Sequence, residues 1–175
     1  MRARVSTAPV DPAVLQAHLS DWDYADAYGV VVDGAGPDSA LTAARCLFEP
    51  GGGRLLRARD LLVGVVGLEP AVTGSDDLFP VLVDTPQLVV LGLDDSHLDF
   101  RIVVEVEPRQ VRCLTAVRRH NRLGHAYFAV VRPFHRRIVP HLLARAARRG
   151  WTPVVVDPVR GAGQAPVGAS GEGSS

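Results

Sequence analysis

Three side chains capable of acid–base work alternate in the run DDSHLDFR (94–101): His97, Asp99 and Arg101. At i, i+2 and i+4 of an extended chain they share one face. In one reading Asp99 orients His97 or neutralises Arg101, and the three form an acid–base cluster. In the other they are the solvated face of an amphipathic strand, with Asp99 and Arg101 bracing a neighbouring loop. Tyr127 and His135 are a second candidate pair. Eight residues apart, they fall close to one helical face, where a ligand would meet a phenol and an imidazole. The plainer alternative is a core tyrosine with its hydroxyl satisfied and a histidine capping a carbonyl freed by Pro133.

Other chemistries find little to stand on. His120, His125, His135 and His141 are spaced by five, ten and six, so no two imidazoles stack as in H-x-x-x-H, and no metal is expected. No Ser, Cys or Thr sits in a nucleophile setting such as G-x-S-x-G. Gly51–Gly53 lacks the strand and the Lys-Ser/Thr of a phosphate loop, and reads as a linker. No catalytic residue is assigned, and no cofactor is expected.

The element that must position these groups is the stretch Asn121–Arg149. Leu123, Tyr127, Val130/Val131, Phe134, Ile138, Leu142 and Ala146 recur at helical steps, Asn121 is an apt N-cap and Gly150 an apt stop. Pro133 and Pro140 each remove a helical hydrogen bond, which predicts bends. Upstream, Tyr24–Val32 reads as a strand with Tyr24, Asp26, Tyr28, Val30 and Val32 on one face. Short helices are expected from Asp38 or Ser39 to Phe48 and from Arg54 to Val66. Strands follow at Phe79–Asp84 (an edge strand, given Pro80), Leu88–Leu93 and His97–Glu107. A turn at Glu107-Pro108-Arg109-Gln110 then pairs Val106 with Val111, Val104 with Cys113, Ile102 with Thr115 and Phe100 with Val117, and sets Glu105 opposite Arg112.

At 175 residues with 47% hydrophobic and 22% charged residues, one domain able to bury a real core is expected. Its limits are read as a loosely held N-terminal arm over 1–22 with one helical turn at Pro12–Leu19, the domain over 23–157 and a flexible tail over 158–175. The N-terminus lacks a signal-peptide core and no apolar run reaches membrane-span length, so a cytoplasmic location is expected. Cys46 and Cys113 fit no metal or redox spacing and read as two buried thiols. All 19 basic residues are Arg, and eleven of them fall between Pro108 and Val156, where there is no Asp or Glu. That asymmetry is either a binding surface or is neutralised on folding. Aromatic residues do not interleave the arginines as a stacking platform would, so no nucleic-acid partner is expected.

A strand, short helices, a run of antiparallel strands and one long C-terminal helix define an α+β class. This order resembles the helix-grip arrangement of the START-like, polyketide-cyclase-like (SRPBCC) superfamily, a curved antiparallel sheet wrapped around a long helix. More narrowly, DYADAYGV (23–30), DDSHLDFR (94–101) and NRLGHAYFAVVRPFH (121–135) resemble a bacterial family of unknown function, found alone and fused behind atypical short-chain dehydrogenase domains. No G-x-G-x-x-G follows a strand here, so the resemblance brings no nucleotide-binding role. It implies a fold and little chemistry; the first functional reading is a non-catalytic binder of a small hydrophobic ligand. The pocket would lie between the sheet (Phe100, Ile102, Thr115, Val117) and the helix (Tyr127, Val131, Phe134, His135). The alternative is a protein-interaction domain docking a partner such as a dehydrogenase subunit. A third reading is a cyclase- or dehydratase-like enzyme with His135 or His97 as base.

Overall fold

The Glu107–Gln110 turn fixes the centre of the molecule. Each of the four expected pairs across it is present, as is Glu105 opposite Arg112. The computed structural model describes residues 4–48 and 79–152. The helix expected at Arg54–Val66 and the tail fall outside the described residues. Six antiparallel strands form one sheet: β1 (Val5–Thr7), β2 (Tyr24–Val31), β3 (Val81–Asp84), β4 (Leu88–Asp94), β5 (Leu98–Glu107) and β6 (Gln110–Arg119). Their order is β1-β2-β6-β5-β4-β3, so the Pro80-led strand is an edge, as its proline requires. The helices among the described residues are α1 (Pro12–His18), α2 (Ala40–Phe48) and α3 (Arg122–Arg148). With α3 laid along one face of the sheet, the fold is α+β in a helix-grip arrangement.

The main core fills the space between that face and the C-terminal half of α3. Val30, Val89, Ile102, Val104, Val111 and Cys113 meet Val139, Leu142, Leu143 and Ala146, with Trp151 closing the end and α2 adding Ala43, Ala44 and Leu47. Each large side chain buried there contributes about 1.5–3 kcal/mol. Cys46 and Cys113 are both buried, and burial pushes the Cys113 thiol up to about 12.

Two expectations are corrected. The first residues carry the expected helical turn, as α1, but the segment is not loosely held. β1 pairs with β2, and α1 caps itself through Asp11, whose carboxylate accepts from the Ala13 amide at 2.9 Å. Leu15 and Leu19 of this segment then pack on the other face of the sheet, against Ala27, Val90, Val103, Leu114 and Ala116. The sheet is therefore covered on both sides at its centre.

The second correction concerns the rotation of α3. Its buried line runs Gly124, Phe128, Val139, Leu142, Leu143 and Ala146, whereas Leu123, Val130 and Phe134 are 57%, 62% and 52% exposed. Gly124 explains the shift, because a Cβ at this position would overlap the His97 carbonyl oxygen. The helix start rests directly on the end of β5, and only glycine permits that approach. Asn121 accepts from the Gly124 amide at 3.0 Å and closes the first turn. With Gly124 facing the sheet, Phe128 one turn later must also face it, and Tyr127 and Phe134 rotate toward the flank.

Candidate functional site

β2 carries the site because its alternation points Tyr24, Asp26 and Tyr28 toward α3. β1 covers only the far half of that strand, pairing Val5 with Val30 and Thr7 with Tyr28. Past the Ala8 amide, which donates to Ala27 at 2.9 Å, the chain leaves toward α1. Tyr24–Asp26 are thus left at the outer edge of the sheet, and α3 passes above them. Between the departing chain and the helix lies an open cleft of about 250 Å³. Tyr24, Asp26 and Tyr28 form its floor, Thr7, Ala8 and Val10 one wall, and Arg132 and Arg136 the other.

Asp26 organises the floor. One carboxylate oxygen accepts from the Tyr24 hydroxyl at 2.6 Å, and the other lies 3.1 Å from His135 Nε2. Both partners of the histidine pair are mostly buried, at 18% and 14% side-chain exposure. Burial, and then the hydrogen bond and charge of Asp26, push the Tyr24 phenol well above its ordinary value. Tyr28 is raised too, by burial and by the Asp26 charge, with Arg136 opposing. Both phenols are therefore neutral donors across the ordinary pH range. Arg132 lies over the Tyr24 ring at 5.2 Å, and Phe128 meets the same ring edge-on at 4.7 Å. Opposite Asp26 in the sheet register stands Thr115, a buried residue whose hydroxyl has no hydrogen-bond partner among the described residues.

The expected pocket residues divide. Phe100, Ile102, Thr115 and Val117 face α3, with Ile102 in the main core and Val117 beside Leu98 and Phe128. Phe100 packs edge-on against Phe79 at 5.2 Å. Tyr127 and Val131 are half-buried on α3, and burial raises the Tyr127 phenol to about 12. Phe134, turned outward with the helix, does not join them. His135 is brought to the cleft's underside through Asp26, yet does not line the cleft itself.

His97, Asp99 and Arg101 do not form one cluster. The Asp99 carboxylate binds Arg118, its cross-strand partner, through Nε at 3.0 Å, and lies 2.9 Å from His120 Nε2. Burial works to raise this carboxyl, but the hydrogen bonds from His120 and Arg118 outweigh it and hold the group below its ordinary value. Arg101 turns to Asp94, at 2.6 and 3.1 Å, over Gly92, where any side chain would collide with it. His97 Nδ1 lies 3.1 Å from the Asn121 amide. Nor are they a solvated face, since Asp99 is buried; Arg101 donates to the His18 carbonyl at 3.1 Å and Arg118 to the Ser20 carbonyl at 3.3 Å, tying the strands to the end of α1.

Sequence reasoning did not single out Asp26, Tyr24, Tyr28, Arg132 or Arg136. Asp26 had a visible signal, an acid on the inward face of an otherwise apolar and aromatic strand. Where α3 would cross that strand had none.

A family profile described as "Protein of unknown function (DUF2867)" matches residues 18–142. The chain belongs to this family. The DUF2867 match begins at the end of α1 and includes the whole cleft floor and both of its arginines, leaving only the Thr7–Val10 wall outside. No curated protein and no solved structure matches the chain. Among the described residues, no three His, Cys, Asp or Glu side chains gather as a metal site, and no helix is long and apolar enough to cross a membrane.

Proposed function

We propose that this DUF2867 domain is a non-catalytic binder of a small ligand, seated in the cleft between the β2 edge and α3. The carrying observation is that an aromatic and carboxylate floor, an apolar wall and two guanidiniums converge on one open space. Pockets combining apolar walls with a few fixed polar groups are the usual form of small-molecule sites. The interior between the sheet and the C-terminal half of α3 is less suitable, being packed with Ile102, Val104, Leu142 and Leu143. The ligand is therefore small and amphipathic rather than wholly hydrophobic. Its site lies at the margin of a START-like helix-grip fold. The test is a titration of the isotope-labelled full chain with small aromatic and aliphatic compounds, charged and uncharged, followed by amide chemical shifts. Shifts confined to 7–10, 24–28 and 132–136, and lost in Ala8→Trp, support the reading. Shifts scattered over the surface, or none, sink it.

A second reading rests on the outward flank of α3. Leu123, Val130 and Phe134 recur at helical steps and are each more than half exposed, with Arg122 and Arg137 exposed on the same helix and no acid along it. A protein partner with apolar side chains ringed by carboxylates, such as a dehydrogenase subunit, fits that chemistry. Co-elution of the chain with a co-expressed short-chain dehydrogenase, abolished by Phe134→Asp, supports it; separate elution in moderate salt counts against it. Catalysis by His135 as a base has less support, because Asp26 stands between that imidazole and the cleft.

A further inference from the structure

We infer that the cleft takes a small organic monoanion, a carboxylate carrying a short apolar or aromatic group, clamped by Arg132 and Arg136. The inference rests on the cleft being the ligand site and names the charge and class of what enters it. Its basis is a local imbalance. Arg101, Arg112, Arg118 and Arg119 on the sheet each have a carboxylate within ion-pair distance. Arg132 and Arg136 have no such partner among the described residues, although Asp26 shares their cleft. That carboxylate is already held by Tyr24 and His135.

Two guanidiniums against one carboxylate leave the lining with a surplus of one positive charge. One added negative charge balances it, whereas a dianion would bring a second into the field of Asp26. Four residues apart on a helix, the two Cβ atoms stand about 5–6 Å from each other, so both guanidiniums can close on one carboxylate from the same side. Arg132 is also partly ordered already by its stacking on Tyr24, which lowers the entropy lost when it engages an anion. Ala8 and Val10 across the cleft offer an apolar wall for the rest of the molecule.

The test uses the full chain with three probes of similar shape: benzoate, uncharged benzamide and phenyl phosphate. Expected is benzoate binding at the cleft amides, with a Kd roughly tenfold or more below that of benzamide. The same titration of the doubly substituted Arg132→Gln/Arg136→Gln chain is expected to bring the two probes level, with an unchanged circular dichroism spectrum. Benzamide binding in the cleft as tightly as benzoate overturns the monoanion inference while leaving the cleft as a ligand site. Phenyl phosphate binding more tightly than benzoate overturns it in favour of a phosphate monoester. Failure of all three probes to perturb the cleft removes the site itself and the inference with it.

Discussion

The β5–β6 ribbon and the β2–α3 cleft both carry arginines, and they treat them in opposite ways. On the strands, Arg118 meets Asp99, Arg112 meets Glu105 at 3.1 Å, and Arg119 meets Asp23 at 2.9 Å. Those carboxylates come from β5 and from the residue leading into β2, so neutralisation follows from strand register. On α3, Arg132 and Arg136 stand one turn apart with one preoccupied carboxylate below them. Among the described residues the Arg-rich second half therefore does two things: it forms a neutralised scaffold along the sheet, and at Arg132 and Arg136 it meets no carboxylate within ion-pair distance. Not every strand pair is equally settled. Arg112 and Glu105 touch without an aligned hydrogen bond, and burial raises the Glu105 carboxyl despite the cation beside it.

The scaffold side should break hardest. Replacing Asp99 by Ala leaves Arg118 and His120 facing a buried gap. The expected cost is about 3 kcal/mol, at the low end for a broken buried pair because Arg118 keeps contact with water. Denaturant midpoints measure it directly. The acid side carries a signature as well. With the folded-state pKa of Asp99 depressed, its stabilisation is present above the ordinary aspartate value and is lost as pH falls through the folded value. Asp99→Asn should therefore flatten the acid limb of the stability profile. An Asp99→Ala chain as stable as the parent would mean that this face is ordinary solvated surface.

Much of this scaffold could be read from the chain before any coordinates. Leu98, Phe100, Ile102, Val104 and Val106 alternate without interruption, and the turn at Pro108 permits one pairing, so β5–β6 follows from two local facts. The axis of α3 was equally legible, but its rotation was not. The stripe through Leu123, Tyr127 and Phe134 is more apolar than the one through Gly124, Phe128 and His135, so periodicity alone favours the face that ends up on the flank. What chooses between them is the contact of Gly124 with the His97 carbonyl, which joins residues far apart in sequence. The site was hidden for the same reason. Tyr24, Asp26 and Tyr28 were placed on one face, but the arginines above them depend on where the helix crosses. At the N-terminus the helical turn is legible from its Asp-Pro start and the four-residue spacing of Leu15 and Leu19, whereas the strand before it is not, because β1 is only three residues long.

An intermediate effect is expected at Asp26, where the two regions can be compared atom for atom. Asp26→Asn keeps an acceptor for the Tyr24 hydroxyl but removes the charge, and should cost about 1 kcal/mol, well below Asp99→Ala. The sharper readout is Tyr24. Its raised phenol contributes stability that is complete below the ordinary tyrosine value of about 10 and is lost as pH rises through the folded value. In Asp26→Asn the Tyr24 titration, followed by ultraviolet absorbance, should move down toward the ordinary value. Tyr24→Phe should remove that part of the alkaline loss. A Tyr24 titration indifferent to Asp26→Asn would assign the whole shift to burial and weaken the picture of a carboxylate-centred floor.

The smallest effect is the most telling. If the α3 cations have no carboxylate of the protein to neutralise them, removing them should cost the fold little. Arg132→Gln with Arg136→Gln should change stability by no more than about 1 kcal/mol, the lost stacking of Arg132 on Tyr24 being partly offset by relief of repulsion between like charges one turn apart. Arg118→Gln, by contrast, strips a cation from a buried carboxylate and should cost about 1.5–3 kcal/mol. Thermal or denaturant unfolding of the two variants side by side decides the matter. Equal losses would make the helix arginines structural, and the distinction between scaffold and binding wall would have to be abandoned.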